Sequence, residues 1–399
     1  MFFIPNMASF VQNLTFMVVF FTVLTAFLIG FLSMPILISA FKKMRVMDKP
    51  GGRKIHKDDT PSMGGIVIVF SVLLTAFLWL DIYNLVEIRY VIAALALMFF
   101  VGLRDDLVEL SPFQKLGGQF VATFMVVFMS DIRITGLYGL FGVYDLHIGI
   151  SYALTFIAII GLTNAFNLID GLDGLAGSIS VLTFGFLGWW FMTIGMESFG
   201  LFSLILMGSV LSFLVFNWHP AKIFMGDTGS LSLGFALSIL TILFIDVNGH
   251  LPNVNPWKFN APIASGIALM IVPIYDTVRI FARRIRRGRS PFAPDKNHVH
   301  HFLMRMGLGH DRVAITLGVV KCFFIALMFI GAAYSDYLML PLILFTAVLF
   351  GARLDAVTLK RVRENVKNAP PVLQQKPGRV KHKPVISKPV TESMHMSNN

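Results

Sequence analysis

The hydrophobic positions of this chain fall in long continuous blocks, with polar residues confined to the short segments between them. Each block runs about 17–25 residues, the length of helix that crosses roughly 30 Å of hydrocarbon. Eleven such blocks are predicted as helices, near residues 14–41, 63–80, 88–104, 113–130, 150–166, 174–194, 199–216, 229–245, 261–281, 313–334 and 338–353. The pattern predicts an all-α polytopic membrane protein with about eleven transmembrane helices. No Lys or Arg precedes residue 42, so the first block lacks the basic flank of a cleaved signal peptide.

Charge adds orientation. Only 14% of the 399 residues are charged, against about 25% in soluble domains. Seven Lys/Arg lie in 42–62, eight in 282–312 and ten from 353 onward, whereas 131–149 holds only Arg133 and 246–260 only Lys258. The positive-inside rule then predicts the N-terminus outside and the C-terminus inside. It also puts the loops at 105–112, 164–173, 217–228 and 282–312 on one cytoplasmic face. The net charge of +11 is accounted for by topology and by attraction to anionic headgroups. No nucleic-acid module accompanies it, so no nucleic-acid partner is expected. Residues 1–353 read as one integral membrane domain and 354–399 as a basic, disordered tail. Residues 131–149 alternate β-branched or aromatic residues with Gly, which predicts a short external β-hairpin. The single cysteine, Cys322, excludes an intrachain disulfide.

The few acids cluster at helix ends. Asp105 and Asp106 close an apolar block, and adjacent carboxylates repel unless a cation or polar pocket receives them. Their open roles are metal ligand, general base, or positioning of a lysine such as Lys115, itself either a phosphate contact or a snorkelling interfacial residue. Asp227, between Gly226 and Thr228-Gly229, fits a Mg²⁺ ligand, with Asn167 as a neutral oxygen beside it; the alternative is a helix N-cap. Asn164, Asn167, Asp170 and Asp173, interleaved with Gly171, Gly174 and Gly177, form a polar wall able to read a base edge and a sugar, or else a capped glycine-rich turn. His298, His300 and His301 sit beside Arg283, Arg284, Arg286 and Arg287; without cysteines they suit phosphate oxygens better than a zinc framework. Arg53-Lys54-Ile55-His56 and Pro61-Ser-Met-Gly64-Gly65 make a further basic turn before a span.

Five segments in order resemble the polyprenyl-phosphate N-acetylhexosamine-1-phosphate transferase family, over about residues 40–315. They are Asp48-Lys-Pro…Arg53-Lys-Ile-His, the Asp105–Asp106 pair, Asn164-Ala-Phe-Asn-Leu-Ile-Asp-Gly-Leu-Asp-Gly, Asn217…Pro220-Ala…Phe224-Met-Gly-Asp-Thr-Gly-Ser, and His298-Val-His-His. The resemblance implies about ten or eleven spans and Mg²⁺ dependence, with Mn²⁺ able to substitute. It implies transfer of a sugar 1-phosphate from a UDP-N-acetylhexosamine to undecaprenyl phosphate in the inner membrane, releasing UMP. This is the chemistry of the branch that starts O-antigen, teichoic-acid and related glycan synthesis. By the same resemblance Asp227 and Asn167 bind Mg²⁺, Lys115 contacts phosphate, and Asp105 is the candidate base with Asp106 beside it. Asp170, Gly171, Leu172, Asp173 and Phe224 line the uridine pocket; Lys54, Asn164 and Asn217 join the substrate contacts; the histidines face sugar and diphosphate. A homodimer is left open.

Two positions depart from the peptidoglycan-precursor branch, which carries a Lys where this chain has Glu109 and Pro-x-His-His-His where it has His-Val-His-His. Both favour UDP-N-acetylglucosamine over UDP-N-acetylmuramoyl-pentapeptide as donor. The rival from another class is an ion-coupled transporter, which predicts carboxylates in mid-span rather than at helix ends.

Overall fold

The computed structural model describes residues 7–44, 60–288, 290 and 299–367, and among these every regular element is helical. In chain order they are α1 (Met7–Met44), α2 (Gly65–Trp79), α3 (Ile82–Leu107), α4 (Pro112–Met129), α5 (Ile148–Ile169), α6 (Leu175–Thr193), α7 (Glu197–Asn217), α8 (Gly226–His250), α9 (Pro262–Leu269), α10 (Ile271–Arg286), α11 (Val299–Arg305), α12 (His310–Ile330) and α13 (Asp336–Lys367). Eight of these are long and apolar enough to cross a membrane, or nine if α9 and α10 count as one broken span. They mark the chain as an integral membrane protein.

The expected spans and the helices correspond in order, but two helices fall short of the measure. Helix α2 has 15 residues, about 22 Å of rise, less than a hydrocarbon core. Helix α4 opens with Gln114, Lys115 and Gln119, which lower its apolarity over the first two turns. The block expected at 261–281 is broken: α9 and α10 meet at 81°. Pro273 explains the break, since it has no N–H for the carbonyl of Leu269 and its ring crowds that carbonyl. The boundary expected at 353 falls inside α13, which continues to Lys367 on a run of good helix formers. Residues 368–399 lie outside the described residues.

The expected external hairpin is reduced to one antiparallel bridge, Gly136 to Asp145, with no strand formed among the described residues. Tyr138, Gly139, Phe141 and Gly142 all take positive φ, which coils the segment before a ladder can extend. Asp246 at the end of α8 anchors it, accepting from Thr135 N (3.0 Å) and Tyr138 Oη (2.8 Å).

Helix α8 is the central post, buried along nearly its whole length and packed against α2, α3, α5, α6 and α9. Glycines set the closest approaches. A Cβ at Gly65 would stand 2.1 Å from Gly229 N, and one at Gly102 would stand 2.4 Å from Asp227 O. Helices α2 and α3 therefore touch the backbone of α8 where α8 begins. On the other side of the molecule α13 braces the broken span at both ends. Asp336 accepts from Ala264 N (2.7 Å) and Ile263 N (3.3 Å) at the start of α9, and Asp355 pairs with Arg279 and Arg283 of α10.

Replacing Gly102 by Ala is expected to lower stability by about 1–3 kcal/mol, since backbone rather than a flexible side chain must move. Thermal unfolding in detergent measures it, and an unchanged midpoint would refute the close-contact argument.

Candidate active site

The last turn of α3, the start of α4, the end of α5 and the start of α8 meet at one end of the bundle, and their side chains are mostly carboxylates. The approach to α8, Phe224–Met225, pairs backbone to backbone with the segment Pro61–Gly65 that leads into α2: Phe224 N donates to Pro61 O (2.9 Å), Gly64 N to Phe224 O (2.8 Å) and Gly65 N to Met225 O (3.0 Å). Gly226 then turns the chain at φ +72, where a Cβ would meet Asp106 Oδ2 at 2.6 Å and Met63 N at 2.9 Å. That corner admits only glycine.

Asp106 is consumed by this corner. Its Oδ1 accepts from Asp227 N (2.8 Å), and its Oδ2 accepts from Thr228 N (2.8 Å) and the Thr228 hydroxyl. It caps α8 from another helix, satisfying N–H groups that a buried N-terminus leaves orphaned. Of the roles open to Asp106, these contacts match positioning. Asp105 is equally engaged: Leu110 N donates to Oδ1 (2.7 Å), and Lys115 Nζ lies 2.9 Å from Oδ2. Lys115 also lies 3.2 Å from Asp227 Oδ1, so one ammonium bridges two carboxylates.

Asp227 keeps about a third of its side chain exposed, more than Lys115 or Asp105. Asn167 donates its amide N–H to Asp227 Oδ1 and to Ser230 Oγ (2.7 Å). Asn167, expected as a neutral ligand, is held against Asp227 through this amide N–H and orients that carboxylate. A better neighbour for a cation is Asp170, at the end of α5. Burial, together with the charges of Asp227, Asp106 and Asp173, pushes its carboxyl up to about 8. Surplus negative charge that pure protein contacts leave unbalanced is the environment a divalent cation fits.

Three expected substrate contacts are occupied by structural work. Asn164 pairs amide to amide with buried Gln119 of α4 (2.7 and 3.2 Å). Buried Asn217 accepts from Gly174 N (2.8 Å) and donates to Ile223 O (2.9 Å), tying the start of α6 to the approach of α8. Leu172 is buried in the apolar core, while Gly171 is exposed and Phe224 half-buried. Asp173 sits beside His219 (2.7 Å) and His310 (3.2 Å). Burial pushes its carboxyl up, but those imidazoles and Ala221 N–H outweigh that and hold it below the usual carboxylate range.

Lys54 and His298 lie outside the described residues. His300 and His301 fall in α11, their side chains outside the described residues. Helix α11 is held by a residue not anticipated from sequence: buried Asp276 of α10 accepts from Val299 N (2.7 Å). Phe302 of α11 packs under Arg279 (4.4 Å) and Arg283 (4.8 Å). Arg283 is thus committed to Asp355 and Phe302, while Arg286 and Arg287 are exposed. A lone acid inside an apolar helix was the available signal for Asp276; nothing in the spacing pairs His219 with His310.

Comparison with known proteins identifies the family. The model of glycosyl transferase family 4 matches residues 88–245, and the phospho-N-acetylmuramoyl-pentapeptide-transferase signature 1 matches residues 57–69. A Bacillus subtilis (strain 168) protein named probable undecaprenyl-phosphate N-acetylglucosaminyl 1-phosphate transferase is 33% identical over 307 residues, 76% of this chain and 83% of its own. The undecaprenyl-phosphate alpha-N-acetylglucosaminyl 1-phosphate transferases of Salmonella typhi and Escherichia coli (strain K12) are 30% and 29% identical, over 82% and 78% of this chain and 91% and 84% of theirs. The chain belongs to glycosyl transferase family 4.

Two outcomes are expected. Asp106→Ala strands buried donors at the start of α8 and should cost about 1–3 kcal/mol in thermal unfolding. Without divalent cations, Asp170 makes stability fall as pH rises from 3.8 towards about 8, because the folded state keeps a proton that the unfolded chain has released. Unfolding in chelator across that range measures the slope; Asp170→Asn should flatten it, and identical slopes would refute the assignment.

Proposed function

We propose that this protein transfers N-acetylglucosamine 1-phosphate from UDP-N-acetylglucosamine to undecaprenyl phosphate, giving the lipid diphosphate sugar and UMP. The observation that carries the reading is a group of four aspartates, Asp105, Asp106, Asp170 and Asp227, with Lys115 bridging two of them at the end of an apolar helical bundle. The names of the relatives supply the acceptor and the sugar. The 57–69 signature favours a second donor, UDP-N-acetylmuramoyl-pentapeptide, against which Glu109 and the His-Val-His-His run speak.

An apolar groove supports the lipid side of the proposal. It has a volume of about 470 Å³ and lies between α5, α8 and the α9–α10 pair. Its lining runs from Ile134 and Phe141 at the outer turn to Ala165 and Thr277 near the carboxylates. A polyprenyl chain laid there brings its phosphate to the end of α5. In the membrane we place ten helices and the broken pair as eleven spans, counting α9–α10 once and leaving α11 outside, with the N-terminus outside and the carboxylate end at the cytoplasmic face of the inner membrane. Residues 131–149 form the external turn, and the basic tail lies inside.

An oxygen of the lipid phosphate attacks the β-phosphorus of the donor; the bond from that phosphorus to the UMP oxygen breaks, and UMP leaves. A lipid phosphate is largely ionised near neutral pH, so the engaged state of Asp105 is no obstacle. Mg²⁺, or Mn²⁺ in its place, would be held by Asp227 with Asp170 as neighbouring carboxylate and would neutralise charge on the diphosphate. Lys115 holds a positive charge at the same point and offers it to the phosphates. Asp106 and Asn167 keep Asp227 aimed. Asp173 and Phe224 border the nucleoside subsite, and α11 closes over the sugar from α10. The partners are thus a UDP-sugar, the lipid phosphate and the bilayer, with no nucleic acid; a homodimer is compatible with the site lying within one chain.

The deciding experiment is turnover by purified protein with undecaprenyl phosphate and a panel of UDP-sugars, reading UMP. Turnover only with the muramoyl-pentapeptide donor would replace the sugar assignment. Asp227→Ala should lower exchange of labelled UMP by at least about a hundredfold; wild-type exchange would remove the metal assignment. Ala158→Trp, within the groove, should raise KM for the long-chain lipid phosphate about tenfold, the equivalent of roughly 1.4 kcal/mol, and leave KM for the UDP-sugar unchanged.

A further inference from the structure

Asp173, His219 and His310 come from three different parts of the fold: the turn before α6, the loop after α7 and the first residue of α12. One ligand atom from each of Asp173, His219 and His310 lies within 4.8 Å of the others. The two imidazoles sit 4.6 Å apart between centroids, tilted by 36°. Asp173 is nearly buried, and the His310 side chain is 14% exposed.

Hydrogen bonding alone accounts for only part of this cluster. His219 Nδ1 and Ala221 N both reach Asp173 Oδ2, at 2.7 and 3.3 Å. His310 Nδ1 is shielded from solvent and 3.2 Å from the same oxygen, yet it makes no hydrogen bond of acceptable direction. In the tautomer with its proton on Nε2, the His310 Nδ1 lone pair faces that carboxylate oxygen, and a cation between the two relieves their repulsion. The 3.2 Å between His310 Nδ1 and Asp173 Oδ2 is close to the roughly 3.3 Å edge of a tetrahedron of donors around an ion at about 2.0–2.1 Å, whereas the 2.7 Å contact of His219 is a hydrogen-bond length and must open by about half an ångström when an ion enters.

We propose that Asp173, His219 and His310 bind a borderline divalent cation of the zinc type, at a site separate from the all-oxygen carboxylate group at Asp227. Two imidazoles and one carboxylate select such an ion over Mg²⁺, which prefers oxygen ligands. The ion clips the start of α12 to the loop after α7 and to the turn before α6. It thereby holds Asp173 at the edge of the nucleoside subsite. Zinc and magnesium then act at different points of one pocket wall.

The test uses the full-length protein in detergent with no nucleotide or lipid, so its outcome is independent of transferase activity. Titration with Co²⁺ should give saturable ligand-field absorption of a low-coordinate nitrogen–oxygen site, displaced by an equivalent of Zn²⁺. His310→Gln and His219→Gln should each weaken Co²⁺ binding by at least about tenfold. Asp227→Asn, and the double variant His300→Gln/His301→Gln, should leave the absorption intact. Zn²⁺ should also raise the unfolding temperature of the wild type and not of His310→Gln, which keeps the proposal testable if the His219 variant fails to fold. Absence of saturable absorption in the wild type, or its survival in both single His variants, overturns the proposal, as does its loss in the His300/His301 variant.

Discussion

A buried helix start governs this molecule. The first turn of α8 lies against the backbones of α2 and α3, where no water can satisfy its N–H groups. One carboxylate from another helix, Asp106, supplies the acceptors. The same contact fixes Asp227, the next residue of that turn, and Asp227 in turn holds Lys115, which reaches Asp105. Packing and site chemistry therefore share one set of atoms. The glycines at 65, 102, 226 and 229 are needed because any side chain there would push the helices apart or strike Asp106.

Much of this was legible in the chain. Apolar blocks located the helices because hydrocarbon length is a hard constraint, and Asp, Asn and Gly at the block ends marked the residues that gather. The division of labour among them was not legible. Asp106 and Asp105 are neighbours in sequence, and only contacts with residues 121 and 122 positions away make one a cap, while Lys115 and Leu110 hold the other. Asn164 and Asn217 look like ligands by type, but their amides are spent on Gln119, Gly174 and Ile223. Pro273 announced the break between α9 and α10, although the apolar run across it read as a single span. The outer turn shows how β-branched and aromatic composition is overridden by a series of left-handed residues.

The carboxylate cluster also explains why so few charges suffice. Within the bundle each is paired, capped or crowded, so its charge is unscreened and acts over its neighbours, as the raised Asp170 shows. A soluble enzyme would surround such a group with water. Here the surrounding helices withhold much of it, and balance is kept by Lys115, by the capping N–H groups and by the proton that Asp170 retains.

The two sides of the apolar groove are built differently. On one side α8 is locked to α2 and α3 by backbone contacts with no slack. On the other, the bent pair α9–α10 is moored to α13 mainly at its tips, through Asp336 and through Asp355. The stiff side is where phosphorus chemistry belongs, because its atoms cannot drift. The moored side lacks such backbone contacts, and its ties to α13 run through the two carboxylates at its ends.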